Sequence, residues 1–191
     1  MNTSEDKKRL RRKAEAARYR LAHATPGAAA AITQSFFNSI SIASGVIVAG
    51  YVPARGEADP LPLMKRLRTV GHPLALARVA EKGQPLHFHL WRDNEVPLKS
   101  TLGMMEAAAD WPSIIPDVLL IPLLGFDKNG YRLGYGGGFY DRSLHSLRMR
   151  ASVLAVGIAF AGQEMVLPHD ERDERLDWIV TEKNSWQVER I

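Results

Sequence analysis

Asp117-Val118-Leu119-Leu120-Ile121-Pro122-Leu123-Leu124-Gly125-Phe126 is an almost continuous apolar run, and together with the glycine-rich segment after it this run governs how the rest of the chain reads. A run with no polar alternation suits a strand covered on both faces, as in a parallel sheet between helical layers. Asn129-Gly130 then turns the chain. Next, Arg132-Leu133-Gly134-Tyr135-Gly136-Gly137-Gly138-Phe139-Tyr140-Asp141-Arg142 packs four glycines into five residues before a helix expected from about Tyr140 to Arg148. Such a loop suits a polyphosphate. Glycines permit positive φ and close approach, so successive backbone N–H groups converge on anionic oxygens, and the helix N-terminus adds partial positive charge. Arg132 offers a fork matched to phosphate oxygens, and Asp141 can hold a Mg²⁺ that bridges them. The alternative is a turn that only permits close packing, with Arg132 and Asp141 as a surface pair. The loop is neither G-x-G-x-x-G, because Phe139 occupies the place of the third glycine, nor G-x-x-x-x-G-K-[ST].

Outward from that segment, strands and helices alternate. Ser4 can cap a first helix, with Glu5 and Asp6 favourable to its dipole. Leu10, Ala14, Ala17 and Leu21 form its apolar stripe. Thr25-Pro26 predicts the start of a second helix, which runs to about Ser39. Strands are expected at Val46–Tyr51, Pro73–Val79, Leu86–Trp91, Val153–Phe160 and Trp178–Thr181, with a helix from Asp59-Pro60 to Val70 closed by Gly71. Pro97–Pro116 reads either as a long active-site loop or as a poorly patterned helix. This order predicts an α/β fold, a three-layer α/β/α sandwich on a mainly parallel sheet, with residues 1–191 as a single domain.

Composition narrows the chemistry. The 191 residues contain no cysteine, which excludes disulfides, thiolate catalysis and iron–sulfur clusters. No apolar run approaches the roughly 20 residues of a membrane span, so a cytoplasmic protein without membrane contact is expected. The net charge is +4, but Lys7, Lys8, Arg9, Arg11, Arg12, Lys13, Arg18 and Arg20 against Glu5, Asp6 and Glu15 give residues 1–20 a charge of +5, leaving −1 for the remainder. The basicity is one helix. It reads as a solvated stripe or a polyanion contact. The neutral body and the lack of an RNP-like signature count against a nucleic-acid partner. His87 and His89 share one strand face without a third ligand nearby in sequence and read as ordinary strand histidines.

The glycine segment, with Asp117-Val118-Leu119-Leu120-Ile121-Pro122 and Gly125-Phe126-Asp127, resembles the signature of the 5-formyltetrahydrofolate cyclo-ligase family. Further matches occur in order along the chain: Lys7-Lys8-Arg9-Leu10-Arg11, Tyr51 to Asp59, Pro73 to Arg78, Asp173 to Asp177, and Ile179-Val180-Thr181-Glu182. Phe139 stands where the family often has tyrosine, and Gly103 to Ala107 matches the family's pattern only loosely.

The resemblance implies ATP-dependent conversion of 5-formyltetrahydrofolate to 5,10-methenyltetrahydrofolate; the sequence leaves the oligomeric state open, with a monomer favoured. It implies that Lys7, Lys8, Arg9, Leu10 and Arg11 form an ATP-binding segment, with Lys7 and Arg11 reaching the phosphates. Arg132 with Leu133, Gly134, Tyr135, Gly136, Gly137, Gly138, Phe139 and Tyr140 would cradle the triphosphate. Asp141 and Asp173 would hold Mg²⁺. Glu57 would bind the pterin, Val52 would line its pocket, and Tyr135 to Phe139 would also meet the folate. Lys7, Arg11 and Arg132 would be the catalytic cations. Other readings are a relative that binds nucleotide or folate without cyclising it, and an RNA-binding protein using the basic helix.

Overall fold

The computed structural model describes residues 3–101 and 103–189. The side chains of residues 3–6, and with them the expected Ser4 cap and its neighbours Glu5 and Asp6, lie outside the described residues. Two helices open the chain, α1 (Thr3–Ala24) and α2 (Ala28–Ser39), followed by β1 (Val48–Gly50), α3 (Leu61–Thr69), β2 (Leu74–Arg78) and β3 (His87–Leu90). A two-residue hairpin, β4 (Leu98–Lys99) with β5 (Met105–Glu106), precedes β6 (Val118–Pro122). Then come a second small hairpin, β7 (Gly125–Phe126) with β8 (Arg132–Leu133), and α4 (Phe139–Arg148). β9 (Leu154–Ile158), a short 3₁₀ turn at Ala161–Gln163, β10 (Trp178–Val180) and β11 (Ser185–Gln187) complete it.

The main sheet has the order β11-β10-β9-β6-β1-β2-β3. Its five inner strands are parallel, and β3 and β11 run antiparallel at the two edges. Strand periodicity divides the core. Val48, Leu74, Leu76, Val118, Leu120, Val156 and Val180 pack with Ile32 and Phe36 of α2 and Leu63, Met64 and Leu67 of α3. The alternate residues Ala49, Ala75, Leu119, Ile121, Ala155 and Ile179 pack with Leu144 and Leu147 of α4. That is the three-layer arrangement the sequence predicts. From β1 the chain passes to β2 on one side and later to β6 on the other, so the topological switch point lies between β1 and β6, where open α/β sheets bind ligands.

Several local expectations differ. The second helix starts at Ala28, not at Pro26, because Gly27 takes a left-handed conformation (φ 82°) between α1 and α2. Among the described residues, 97–116 carry the β4–β5 hairpin and no helix. The apolar run from Asp117 does not form one strand. β6 ends at Pro122, and the next two carbonyls turn to side chains: Leu123 O accepts from Arg18 (3.0 Å) and Gln163 (2.9 Å), and Leu124 O from Gln163 (3.1 Å). These buried bonds replace the ladder and redirect the chain toward the glycine loop. No helix among the described residues is long and apolar enough to cross a membrane.

Candidate active site

The carboxyl ends of β1, β2 and β6 open into a cavity of about 1070 Å³. That is the upper end of the size of a small-molecule pocket, roughly 300–1,000 Å³. Its lining brings together Lys7, Arg11, Val52, Glu57, Arg132, Leu133, Gly134, Tyr135, Gly136, Gly137, Gly138, Phe139, Tyr140, Asp141 and Asp173, residues that span most of the sequence. Lys8, Arg9 and Leu10 do not line it. Lys8 and Arg9 are exposed, whereas Leu10 packs against Ala14, Leu124, Leu133 and Leu167. Arg78 also stays outside, donating to Ala107 O (3.1 Å) beside Glu106 (3.6 Å).

The glycine loop is shaped by what a side chain would strike. Gly136 has φ 96°, and a Cβ there would lie 3.1 Å from the Arg11 guanidinium carbon. Gly138 has φ 64°, and its Cβ would lie 2.6 Å from Arg142 Nη1. Residues with a Cβ rarely adopt those conformations. Arg11 Nε donates to Gly134 O (2.9 Å), which fixes α1 against the loop. Gly138 leads directly into α4, whose first turn carries Asp141, a favourable position for an acid at a helix start.

Each cation over this loop is held by an acid or a carbonyl. Arg132 Nη2 donates to Asp141 Oδ1 (2.7 Å), and Nη1 donates to Glu174 O. Burial pushes the Arg132 guanidinium below its ordinary value, and Asp141 and Asp173 pull it back, so it remains a cation. Lys7 Nζ lies 2.5 Å from Asp173 Oδ2 and 3.4 Å from Asp170 Oδ2. Two cations suited to phosphate therefore sit on two acids suited to a metal.

The donor set fits Mg²⁺. Asp141 Oδ1 accepts from Arg132 and from the Glu174 N–H (3.2 Å), whereas Oδ2 accepts no hydrogen bond among the described residues. No cluster of three or more His, Cys, Asp or Glu side chains suited to a metal occurs among the described residues. Mg²⁺ needs no such cage, since one or two carboxylates with substrate phosphates and water suffice. His89 is a buried strand residue whose Nδ1 bonds to Trp111 O (2.6 Å).

Around Glu57 the wall changes character. The same lining includes the apolar side chains of Val52, Leu76, Met104 and Met105 together with Tyr51 and Glu57, whose carboxylate is almost fully buried. Glu57 Oε2 accepts from the Ala54 N–H (2.9 Å), and Oε1 accepts from the Tyr135 hydroxyl (3.0 Å). Burial raises the Glu57 pKa above the ordinary carboxylate range, against the lowering influence of the Ala54 N–H, Arg18 and Tyr135. The Tyr135 hydroxyl is pushed up to about 12, first by burial and then by the Glu57 charge. Burial and Glu57 raise Tyr140 as well. Both phenols therefore stay protonated at neutral pH, and the Tyr135 hydroxyl donates to Glu57. Tyr135 belongs to the glycine loop and touches Glu57, so it joins the two parts of the lining.

Arg18 is the residue that the basic-stripe reading misplaces. It is not solvated: it is 0% exposed beneath this junction. A signal was present, because position 18 lies four residues after Ala14 and three before Leu21, on the apolar face of α1.

Comparison with known proteins gives one consistent result. The model of the 5-formyltetrahydrofolate cyclo-ligase family matches residues 3–182. The chain is 33% identical to the 5-formyltetrahydrofolate cyclo-ligase of Escherichia coli K12 over 147 residues, which are 73% of this chain and 80% of that protein. It is 34% identical to the enzyme of that name from Mycolicibacterium smegmatis over 124 residues, 59% of this chain and 62% of that one, just under two thirds of its length. The solved structure of Aquifex aeolicus 5,10-methenyltetrahydrofolate synthetase superposes with a TM-score of 0.72 at 27% identity, covering 100% of this chain and 95% of that one. The Mycoplasma pneumoniae 5,10-methenyltetrahydrofolate synthetase structure shares the fold, with a TM-score of 0.71 at 23% identity over 93% of this chain and 99% of that one.

Proposed function

The chain belongs to the 5-formyltetrahydrofolate cyclo-ligase family, and on that basis we propose that its 1070 Å³ cavity is the site where 5-formyltetrahydrofolate and ATP become 5,10-methenyltetrahydrofolate, ADP and phosphate, in the cytoplasm. The observation that carries the assignment is the meeting, at Tyr135, of a cation-rich glycine loop with a buried carboxylate in an apolar wall. One suits a triphosphate and the other a flat heterocycle with N–H donors.

The reaction needs an oxygen to leave a formyl group. The N5-formyl oxygen attacks the γ-phosphorus of ATP, the bond to the bridging oxygen breaks, and ADP departs. The resulting N5 iminium phosphate is attacked at carbon by N10, which loses its proton as phosphate leaves and the ring closes. Phosphoryl transfer of this kind depends mostly on positioning and charge neutralisation. The glycine-loop N–H groups and Arg132 hold the transferring group, and Lys7 and Arg11 add charge from α1. Asp141 and Asp173 would hold Mg²⁺, which neutralises phosphate charge when bound. Glu57 accepts from the pterin N–H groups, and Val52 packs on the ring. No side-chain nucleophile takes part.

Arg11 and Arg12 test this assignment. Arg11 faces the loop, whereas Arg12 is exposed. Arg11→Ala is expected to lower kcat/KM by about tenfold or more, the effect of one charged hydrogen bond of about 1.5–3 kcal/mol. Arg12→Ala should leave it within about twofold, since surface changes of this kind cost little. Steady-state kinetics with circular dichroism on both variants measures the difference. Equal losses would make the helix a diffuse basic surface and return weight to a nucleic-acid partner.

A further inference from the structure

We infer that Arg18 is a positioning residue that locks the glycine loop to the Glu57 loop, so that ATP and folate each bind more tightly when the other is present. This rests on the assignment of ATP and 5-formyltetrahydrofolate to the cavity. Arg18 does not line the cavity and is completely buried. Its guanidinium instead reaches three separate segments. Nη1 donates to Leu123 O at the end of the central strand (3.0 Å), and Nη2 donates to Arg55 O (2.8 Å) and to the Tyr135 hydroxyl. That hydroxyl in turn donates to Glu57 (3.0 Å). The Tyr135 ring lies 5.3 Å from the guanidinium carbons of both Arg18 and Arg55, so the ring is clamped as well as its oxygen.

Stability alone does not account for an arginine at this position. Its Nε is buried without a partner, and its nearest carboxylate, Glu57, is 3.6 Å away, beyond a good hydrogen bond. A charge buried on those terms is a poor source of stability beside an apolar side chain of similar volume. What the arginine supplies is direction. Arg55 adopts φ 51°, a left-handed conformation that is costly for a residue with a Cβ and persists only where its surroundings hold it. The contact of Arg18 with Arg55 O holds that turn, and the turn carries Glu57. The same guanidinium fixes Tyr135, which belongs to the phosphate loop. A phosphate that orders Tyr135 therefore also orders the Glu57 carboxylate, and a pterin on Glu57 orders Tyr135. Coupling of this kind must be reciprocal.

Isothermal titration with a non-hydrolysable ATP analogue and Mg²⁺, with and without saturating 5-formyltetrahydrofolate, reads the coupling without turnover. In the unaltered protein the folate should tighten the analogue by about fivefold or more, within the usual span of coupled sites. In Arg18→Met the factor should fall below about twofold, even where each ligand alone still binds. Should Arg18→Met fail to fold, Tyr135→Phe cuts the same link at its other end, keeps the ring, and should abolish the coupling in the same way. A merely structural arginine would lower the melting temperature and leave the coupling factor unchanged. Unchanged coupling in a folded variant, or no coupling in the unaltered protein, overturns the proposal while leaving the substrate assignment intact. Failure of the unaltered protein to bind either ligand alone overturns both.

Discussion

Asp141→Asn is expected to lower kcat by about a hundredfold or more while the chain stays folded. The asparagine keeps an Oδ1 that can accept from Arg132 and from the Glu174 N–H, the two contacts that fix the carboxylate now. Only the charge disappears. Arg132, almost wholly buried, then loses its paired anion, at a cost of about 1–3 kcal/mol in stability. Turnover loses more, because a neutral amide is a poor ligand for a hard divalent cation, and a hundredfold corresponds to about 2.7 kcal/mol of barrier. The Mg²⁺ dependence of ATP-analogue binding should weaken in parallel, which separates a metal ligand from a simple ion-pair partner. Steady-state rates, thermal midpoints and titrations on the same preparation measure all three. Wild-type turnover would return Asp141 to the role of holding Arg132.

Glu57→Gln is expected to lower kcat/KM for 5-formyltetrahydrofolate by about a hundredfold, with a much smaller effect on the KM for ATP. A glutamine amide would set an NH₂ against pterin donors that need an acceptor, and charge-assisted hydrogen bonds are worth about 1.5–3 kcal/mol. The raised Glu57 pKa also gives a pH signature with opposite signs for stability and activity. The folded chain takes up this proton at a higher pH than the unfolded chain. Protonation therefore contributes stability that is fully present below the unfolded value and is lost as pH rises through the folded one. Folate recognition needs the carboxylate, so kcat/KM for 5-formyltetrahydrofolate should fall as pH drops through that same folded value. Glu57→Gln should flatten this limb of the profile. A limb that persists in the variant would belong to another group.

The long-range layout was legible because it is written in periodicities. The alternation of Val118, Leu119, Leu120 and Ile121 between two helical layers and the glycines before α4 are local signals. Much of the cavity lining is given by the family's motifs in order. Other features depend on partners far away in sequence. The break after Pro122 could not be read from an apolar run, because Arg18 and Gln163 supply its replacement hydrogen bonds. Lys7 and Asp173 stand 166 positions apart, and no local pattern joins them. β11 is a three-residue edge strand, Ser185-Trp186-Gln187, too short to register as a period. Arg18 is a different case, since its place on the apolar face of α1 was readable and its formal charge alone argued for solvent.

If one cavity couples ATP consumption to closure of a folate ring, the two products must appear together. Methenyl absorbance and ADP release are therefore monitored side by side after the purified protein is mixed with 5-formyltetrahydrofolate, ATP and Mg²⁺. The expected result is one ADP per methenyltetrahydrofolate, with no product when either ATP or Mg²⁺ is omitted. Product formed without ATP, or none under any condition from well-folded protein, would rule out ATP-driven ring closure in this cavity.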